Sequence, residues 1–251
     1  GGSSPDLDHP RGLPQVKRLQ HAQAFAFVAT DYAASYRHRI DTRLDWPYTD
    51  SLWREFIFIR PLQALIVFDR IRASADSQRP FYLGPNWYWD GPNVPATQVV
   101  RSFITHFETP PTVAGSRVTA LVGSQTSELA TLLPRTPNFR IVNEDVPGYQ
   151  SAGQYRIELD DAGSTESYFL NVITGYDAGE TRLALNLVEE AQQWRLEIAH
   201  PVRGSATIIL RKGMDSAGGS VSITGGAAMP MRDDVQGMTV GDQGPVWEIP
   251  D

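Results

Sequence analysis

Residues 53–60 read WREFIFIR, and no other segment restricts the possible folds so strongly. Trp53, Glu55, Ile57 and Ile59 fall on one side of an extended chain, and Arg54, Phe56, Phe58 and Arg60 on the other. Pro61 ends the run, and LIVFDRIR follows over residues 65–72 at hairpin distance. The two segments are therefore expected to pair as antiparallel strands. Asp69 and Arg70 close the apolar part of the second strand, where the charged pair is expected to stabilise a turn.

The same period-2 signature recurs along the chain. Residues 24–30 (AFAFVAT), 36–44 and 99–107 (VVRSFITHF) read as strands, and so do 117–122, 139–143, 155–159, 167–173, 182–188, 193–200, 206–211 and 220–224. A hairpin is expected to turn near Glu189-Glu190. Helical periodicity is scarce, and 21 glycines and 18 prolines are spread over all 251 residues. Many short strands joined by turns imply an all-β fold, a two-layer antiparallel β-sandwich. Residues 1–20, polar and proline-containing, read as a linker or irregular lead-in; residues 21–251 form the sandwich domain, with a smaller C-terminal sub-sheet from about 175. The Gly- and Ser-rich stretch 213–226 reads as a mobile loop or hairpin tip.

Charge and composition remove several function classes. The formal net charge is -7, so the molecule as a whole repels phosphate backbones, and nucleic acid is not an expected partner. An acidic polysaccharide would need a local basic strip, for which Arg37, Arg39 and Arg43 are candidates; a solvated strand face is the simpler reading of them. No apolar run is long enough to cross a membrane as a helix, so no membrane partner is expected. With no cysteine there is no disulfide, thiolate metal site or cysteine nucleophile. The five histidines show no metal-ligand spacing, and no cofactor is expected. A structural divalent cation at Asp160-Asp161 or Asp233-Asp234 stays open. Nucleophile elbows and phosphate-binding glycine loops are absent.

Aromatic clusters carry the clearest binding signal. Trp87-Tyr88-Trp89 stands between Gly84-Pro85-Asn86 and Asp90-Gly91-Pro92, and Trp46, Tyr48 and Trp53 form a second set. Flat rings in loops stack on the apolar faces of sugars; the same rings can instead close the end of a sandwich as core.

The ordered set of segments resembles one family. The R-x-F-x-F-I-R-P strand followed by A-L-I-V-F-D-R-I resembles the β-domain strand pair of heparinase II/III-like polysaccharide lyases. Thr105-His106-Phe107 before the P-x-V-x-G turn at Pro111–Gly115, LATLLP at 129–134, and the strands at 155–159 and 168–172 are similar to the segments that follow in that family. The resemblance implies a β-sandwich module that follows an (α/α) toroid domain and acts on uronic-acid-containing polysaccharide by β-elimination, outside the cytoplasm (extracellular or periplasmic). It also implies that this chain is not catalytic alone, because most of the family's machinery lies in the toroid. The early H-x-x-D-type strand motif is missing, so no catalytic residue is carried over. His106 and Tyr36 are the candidates for a site shared with a toroid; a free-standing carbohydrate-binding module is the alternative.

Overall fold

The computed structural model describes residues 14–41, 44–47, 49–74, 81–83, 86–88, 95–144, 154–214, 217–231, 240–241 and 244–245. Eight strands form the principal sheet. In spatial order they are β1 (Gln15–His21), β2 (Phe25–Asp31), β5 (Thr49–Ile59), β6 (Ala64–Ala73), β15 (Glu166–Tyr176), β12 (Gln125–Leu133), β11 (Arg117–Val122) and β10 (Thr112–Ala114). A five-stranded sheet runs β16 (Ala184–Glu189), β17 (Gln193–His200), β18 (Gly204–Arg211), β19 (Gly219–Ile223), β20 (Met229–Met231). A three-stranded sheet runs β13 (Phe139–Asn143), β14 (Tyr155–Asp161), β9 (Arg101–Phe107). Neighbours within these three sheets are antiparallel. Short hairpins β3 (Arg37–Asp41)–β4 (Leu44–Pro47), β7 (Phe81–Leu83)–β8 (Asn86–Tyr88) and β21 (Val240–Gly241)–β22 (Gly244–Pro245) complete the set.

The sandwich expected from the strand pattern is present, and its two largest layers enclose the main core. Phe25, Phe27, Ile57, Ile59, Ile66, Phe68, Leu170 and Val172 of the principal sheet meet Leu196, Ile198, Ile208, Leu210 and Val221 of the five-stranded sheet. The opposite face of the principal sheet is also covered. There Val67, Ile71, Leu129 and Phe169 meet Phe103, Phe107, Ile157 and Leu159 of the three-stranded sheet. The middle strands β6 and β15 are thus buried on both faces, so alternation disappears from them. Their sequences ALIVF and YFLNVI are near-continuous apolar runs, as burial on both faces requires.

Residues 53–60 and 65–72 pair as expected, with Ile57 opposite Ile66 and Phe56 opposite Val67. The hairpin of β16 and β17 also turns where expected, Glu190 N–H donating to the Gln193 carbonyl at 2.9 Å. Three readings are corrected. The lead-in is not irregular throughout: Gln15–His21 is edge strand β1, in register with β2. The Gly/Ser-rich stretch is a hairpin connection rather than a mobile loop: it joins β18 to its antiparallel partner β19, contains β19 itself and holds the fully buried Met214 and Ala217. Gly219 (φ +148) fits there because a Cβ would lie 1.7 Å from the Ile209 carbonyl oxygen. Finally, Asp69 and Arg70 stand within β6 rather than at a turn, on opposite faces of the sheet.

Candidate functional site

The strand register sends both aromatic hairpins out at one end of the principal sheet. Hairpin β3–β4 lies between Asp31 and Thr49, and β7–β8 lies between Ala73 and Arg101. Asp31 is opposite Trp53, Thr49 is opposite Ala73, and Arg72 is opposite Glu166, which puts all these ends together. The turn joining β14 to β15 sits between the two feet of the second hairpin segment. Ala73 N–H donates to the Thr165 carbonyl at 3.0 Å, and Gly163 N–H donates to the Thr97 carbonyl at 2.9 Å.

At this end Trp53 is half-buried against the main core, with the Arg70 guanidinium 6.0 Å from its ring centre. Arg37 and Arg39 lie on β3, opposite Pro47 and Asp45, and Trp46 lies on β4 opposite His38. Trp87 and Tyr88 lie on β8, opposite Tyr82 and Phe81. Tyr48, Trp89, Arg43 and the pair Asp233-Asp234 lie outside the described residues.

Two ion pairs stitch the motif strands together, one on each face. Arg54 Nε and Nη2 donate to Asp69 Oδ1 and Oδ2 at 2.7 and 2.6 Å, a bidentate arrangement directly across the β5–β6 register. Burial pushes the Asp69 carboxyl above its ordinary pKa, against the pull of Arg54. On the other face Arg70 Nη2 donates to Glu55 Oε1 at 2.5 Å, and both side chains are 0% exposed. Burial pushes the Glu55 pKa up to about 7, while Arg70 and the Gly218 N–H favour the charged carboxylate. Both partners also grip the chain between β18 and β19: Arg70 donates to the Gly213 carbonyl at 2.5 Å, and Gly218 N–H donates to Glu55 Oε2 at 3.1 Å. Arg54 and Asp69 are therefore committed to joining β5 to β6, and Glu55 and Arg70 to holding two layers together. The signal for this was an acidic residue, Glu55, on the face that otherwise carries Ile57 and Ile59.

The two catalytic candidates belong to different neighbourhoods. His106 lies between Phe103 and Phe107, which face the core, and Ile104 beside it is exposed. Its Nε2 lies 3.2 Å from Glu144 Oε2, and Arg156 pairs with the other oxygen of Glu144. A carboxylate that anchors a histidine in this way fixes its orientation and leaves Nδ1 for other partners. Tyr36, half-exposed at the end of the 3-10 turn Ala33–Tyr36, lies in the electrostatic environment of Arg54, which is on the face of β5 turned toward Phe103 of the three-stranded sheet. His200, by contrast, is structural: its Nδ1 accepts the N–H groups of Val202 and Arg203, and its Nε2 lies 2.9 Å from the Thr181 carbonyl. Among the described residues no His, Asp or Glu group is arranged to hold a metal ion. No described helix is long and apolar enough to cross a membrane.

One polar residue at the hairpin end escaped the sequence reading. Arg101, the first residue of β9, is 5% exposed, and its Nη2 donates to the Ser164 carbonyl at 2.8 Å. In the sequence it is one arginine in an alternating strand, with nothing to mark it as buried.

No protein-family model matches the chain, and no curated protein matches it by sequence. Solved structures do. Heparan sulfate lyase HepC from Pedobacter heparinus is 10% identical, with a TM-score of 0.50 over 79% of this chain and 28% of the lyase. A heparinase III is 9% identical, with a TM-score of 0.48 over 79% of this chain and 28% of its own. The chain thus spans less than a third of the length of the structures it is similar to. In fold, it is similar to a portion of a heparan sulfate lyase.

Proposed function

We propose that this chain is the β-sandwich module of a heparinase II/III-like polysaccharide lyase, working with an (α/α) toroid domain on a uronic-acid-containing polysaccharide outside the cytoplasm. The observation that carries the reading is the fold likeness to the heparan sulfate lyase over 79% of this chain. The reaction class is β-elimination. A base removes the proton at C5 of the uronate, the carboxylate is neutralised, and an acid protonates the leaving oxygen. The candidates His106 and Tyr36 stand apart here, so the module alone is not expected to complete these steps. Its role is to support the toroid and to bind sugar. The full-length protein carrying this chain is expected to release unsaturated, ultraviolet-absorbing oligosaccharides from a uronate polymer, and this chain alone to release none. Product from the isolated chain would refute the module reading, and none from the full-length protein would refute the lyase reading.

A second reading, a carbohydrate-binding module, is favoured by the exit of both aromatic hairpins at one sheet end. Trp46→Ala and Trp87→Ala are then expected to weaken oligosaccharide binding while leaving the melting temperature unchanged. Unchanged binding with lowered stability would make those rings core.

A further inference from the structure

The three-stranded layer stops short of one half of the face it covers. On that half the register sets Leu19 of β1 beside Val28 of β2, and Val28 beside Phe56 of β5. In the next row Ala26 stands beside Phe58, and Phe58 beside Leu65 of β6. Phe56 and Leu65 pack partly against the second core. Among the described residues, Leu19, Ala26, Val28 and Phe58 belong to neither core, and Phe58 is 37% exposed. The opposite face of β2 and β5 behaves differently, with Phe25, Phe27, Ile57 and Ile59 all 0% exposed. A contiguous apolar strip left half-buried marks an interaction surface.

Size and charge decide what the strip can hold. Four neighbouring strands and two to three side-chain rows make it roughly 15–20 Å on a side, on the order of 300 Å². A stable complex of free partners needs about 800 Å² from each, so a second copy of this chain would be held too weakly. Pairing along the edge adds nothing, because edge strand β1 carries a register shift at Lys17, between Val16 and Arg18. A bulge and a lysine both discourage a further strand. A partner tethered in the same polypeptide needs less area, since the tether holds it at an effective concentration on the order of millimolar. The space between the three-stranded layer and the sheet edge suits one α-helix, about 10–12 Å across with its side chains. The border is basic although the whole chain carries -7. His21 lies on the strip's face of β1, opposite Ala26, and Arg60 lies just past Phe58, its N–H bonded to the Ala24 carbonyl at 3.0 Å. At the other end of the strip Arg54 is committed to Asp69.

We propose that this strip is the docking face for an α-helix from the remainder of the longer protein, its apolar stripe on Val28 and Phe58 and its acidic flank against Arg60 and His21. The proposal deepens the module reading and rests on it, because the chain spans only 28% of the heparan sulfate lyase it is similar to in fold. Seating the helix takes Phe58 out of water and closes the open half of the second face. The opposite signs of the two borders fix which way the helix lies, a matter that apolar contact alone leaves undecided. The contact sits at the Ile59 end of β5, and the aromatic hairpins leave the sheet at the Thr49 end.

The chain has no cysteine, so one introduced thiol reports the contact. Phe58→Cys is compared in the full-length protein and in this chain alone, with Val202→Cys, at a position 87% exposed, as the reference. Maleimide labelling at each position is followed by peptide mass spectrometry. Position 58 is expected to react roughly tenfold or more slowly in the full-length protein than in the chain alone, the protection given by a contact that must open first. Position 202 is expected to react equally in both. Val28→Cys serves as the second probe if Phe58→Cys does not fold. Arg60→Glu sets like charges against the acidic flank and is expected to restore part of the reactivity at position 58. Equal rates at position 58 in the two proteins, or protection unmoved by Arg60→Glu, would overturn the proposal. So would protection already present in the chain alone, where a rise with concentration would make the occupant a second copy and no dependence on concentration a segment of this chain. Labelling needs no product release. A full-length protein that yields unsaturated oligosaccharides but labels rapidly at position 58 would lose the docking face and keep the lyase reading.

Discussion

Glu55 and Arg70 form a fully buried ion pair diagonally across β5 and β6, with Arg70 Nη2 2.5 Å from Glu55 Oε1. The pair also binds the backbone at Gly213 and Gly218, so it fastens the five-stranded layer to the principal sheet. Arg70→Met leaves Glu55 buried without its cation and is expected to cost about 3–5 kcal/mol in urea denaturation. The double variant Glu55→Leu/Arg70→Met removes both charges and is expected to cost much less than Arg70→Met alone. Equal costs would show that the backbone grips, rather than the paired charges, matter most.

The pH dependence follows from the same carboxyl. The folded-state pKa of Glu55, about 7, lies above its ordinary value of 4.5, so the native state holds the proton over a window in which the unfolded chain has lost it. Its contribution is complete below pH 4.5 and declines as the pH rises through about 7. Relative to Glu55→Gln, which cannot titrate, the wild type is expected to lose on the order of 3 kcal/mol across that window. Parallel denaturation curves of the two proteins at several pH values measure the difference; a constant gap would refute the assignment to Glu55.

The second ion pair is unequal in its exposure, and its variants should be unequal too. The Asp69 side chain is 3% exposed and that of Arg54 is 32% exposed. Arg54→Met strands a buried carboxylate and is expected to cost about 3–5 kcal/mol. Asp69→Leu leaves a guanidinium that reaches water, so a smaller loss is expected. Chemical denaturation of the two single variants gives the order directly.

Gly219 and Gly123 separate two effects of a methyl group. Both have positive φ, +148° and +64°. A Cβ on Gly219 meets the Ile209 carbonyl oxygen at 1.7 Å, whereas one on Gly123 meets nothing within 4 Å. Gly123→Ala is expected to cost about 1 kcal/mol from backbone strain alone. Gly219→Ala must displace β18 from β19 and is expected to cost more than about 4 kcal/mol or to prevent folding. Melting temperatures of the two variants provide the comparison.

The faces of β5 were legible because alternation depends only on position along one strand. The partners of Asp69 and Arg70 were not, because they depend on the β5–β6 register and on a loop between β18 and β19 far away in the chain. The three-stranded layer over the second face was not foreseen, since the strand pattern was read as two layers; ALIVF and YFLNVI fit burial on both sides only once β6 and β15 are known to lie mid-sheet. Glycine and serine at 213–226 suggested freedom, yet Gly219 is there because the Ile209 carbonyl leaves no room for a side chain. Of the candidate site, the aromatic hairpins were visible as composition. Their exit at a common end depends on long-range pairing, and Arg101 is set apart only by the burial the fold imposes.

The position of β6 against β15 also governs how the chain can be made. Arg72 and Glu166 face each other in register although 94 residues separate them. That interval contains β9 to β14, which supply three strands of the principal sheet and the whole three-stranded layer. During synthesis from the N-terminus, a sheet of β1, β2, β5 and β6 therefore waits with the long apolar strand β6 as an open edge. Closing so large a loop is slow, and an unpaired edge of this kind readily captures other chains. The most protected strand of the finished molecule is thus the most aggregation-prone one of the nascent chain until β15 has been translated.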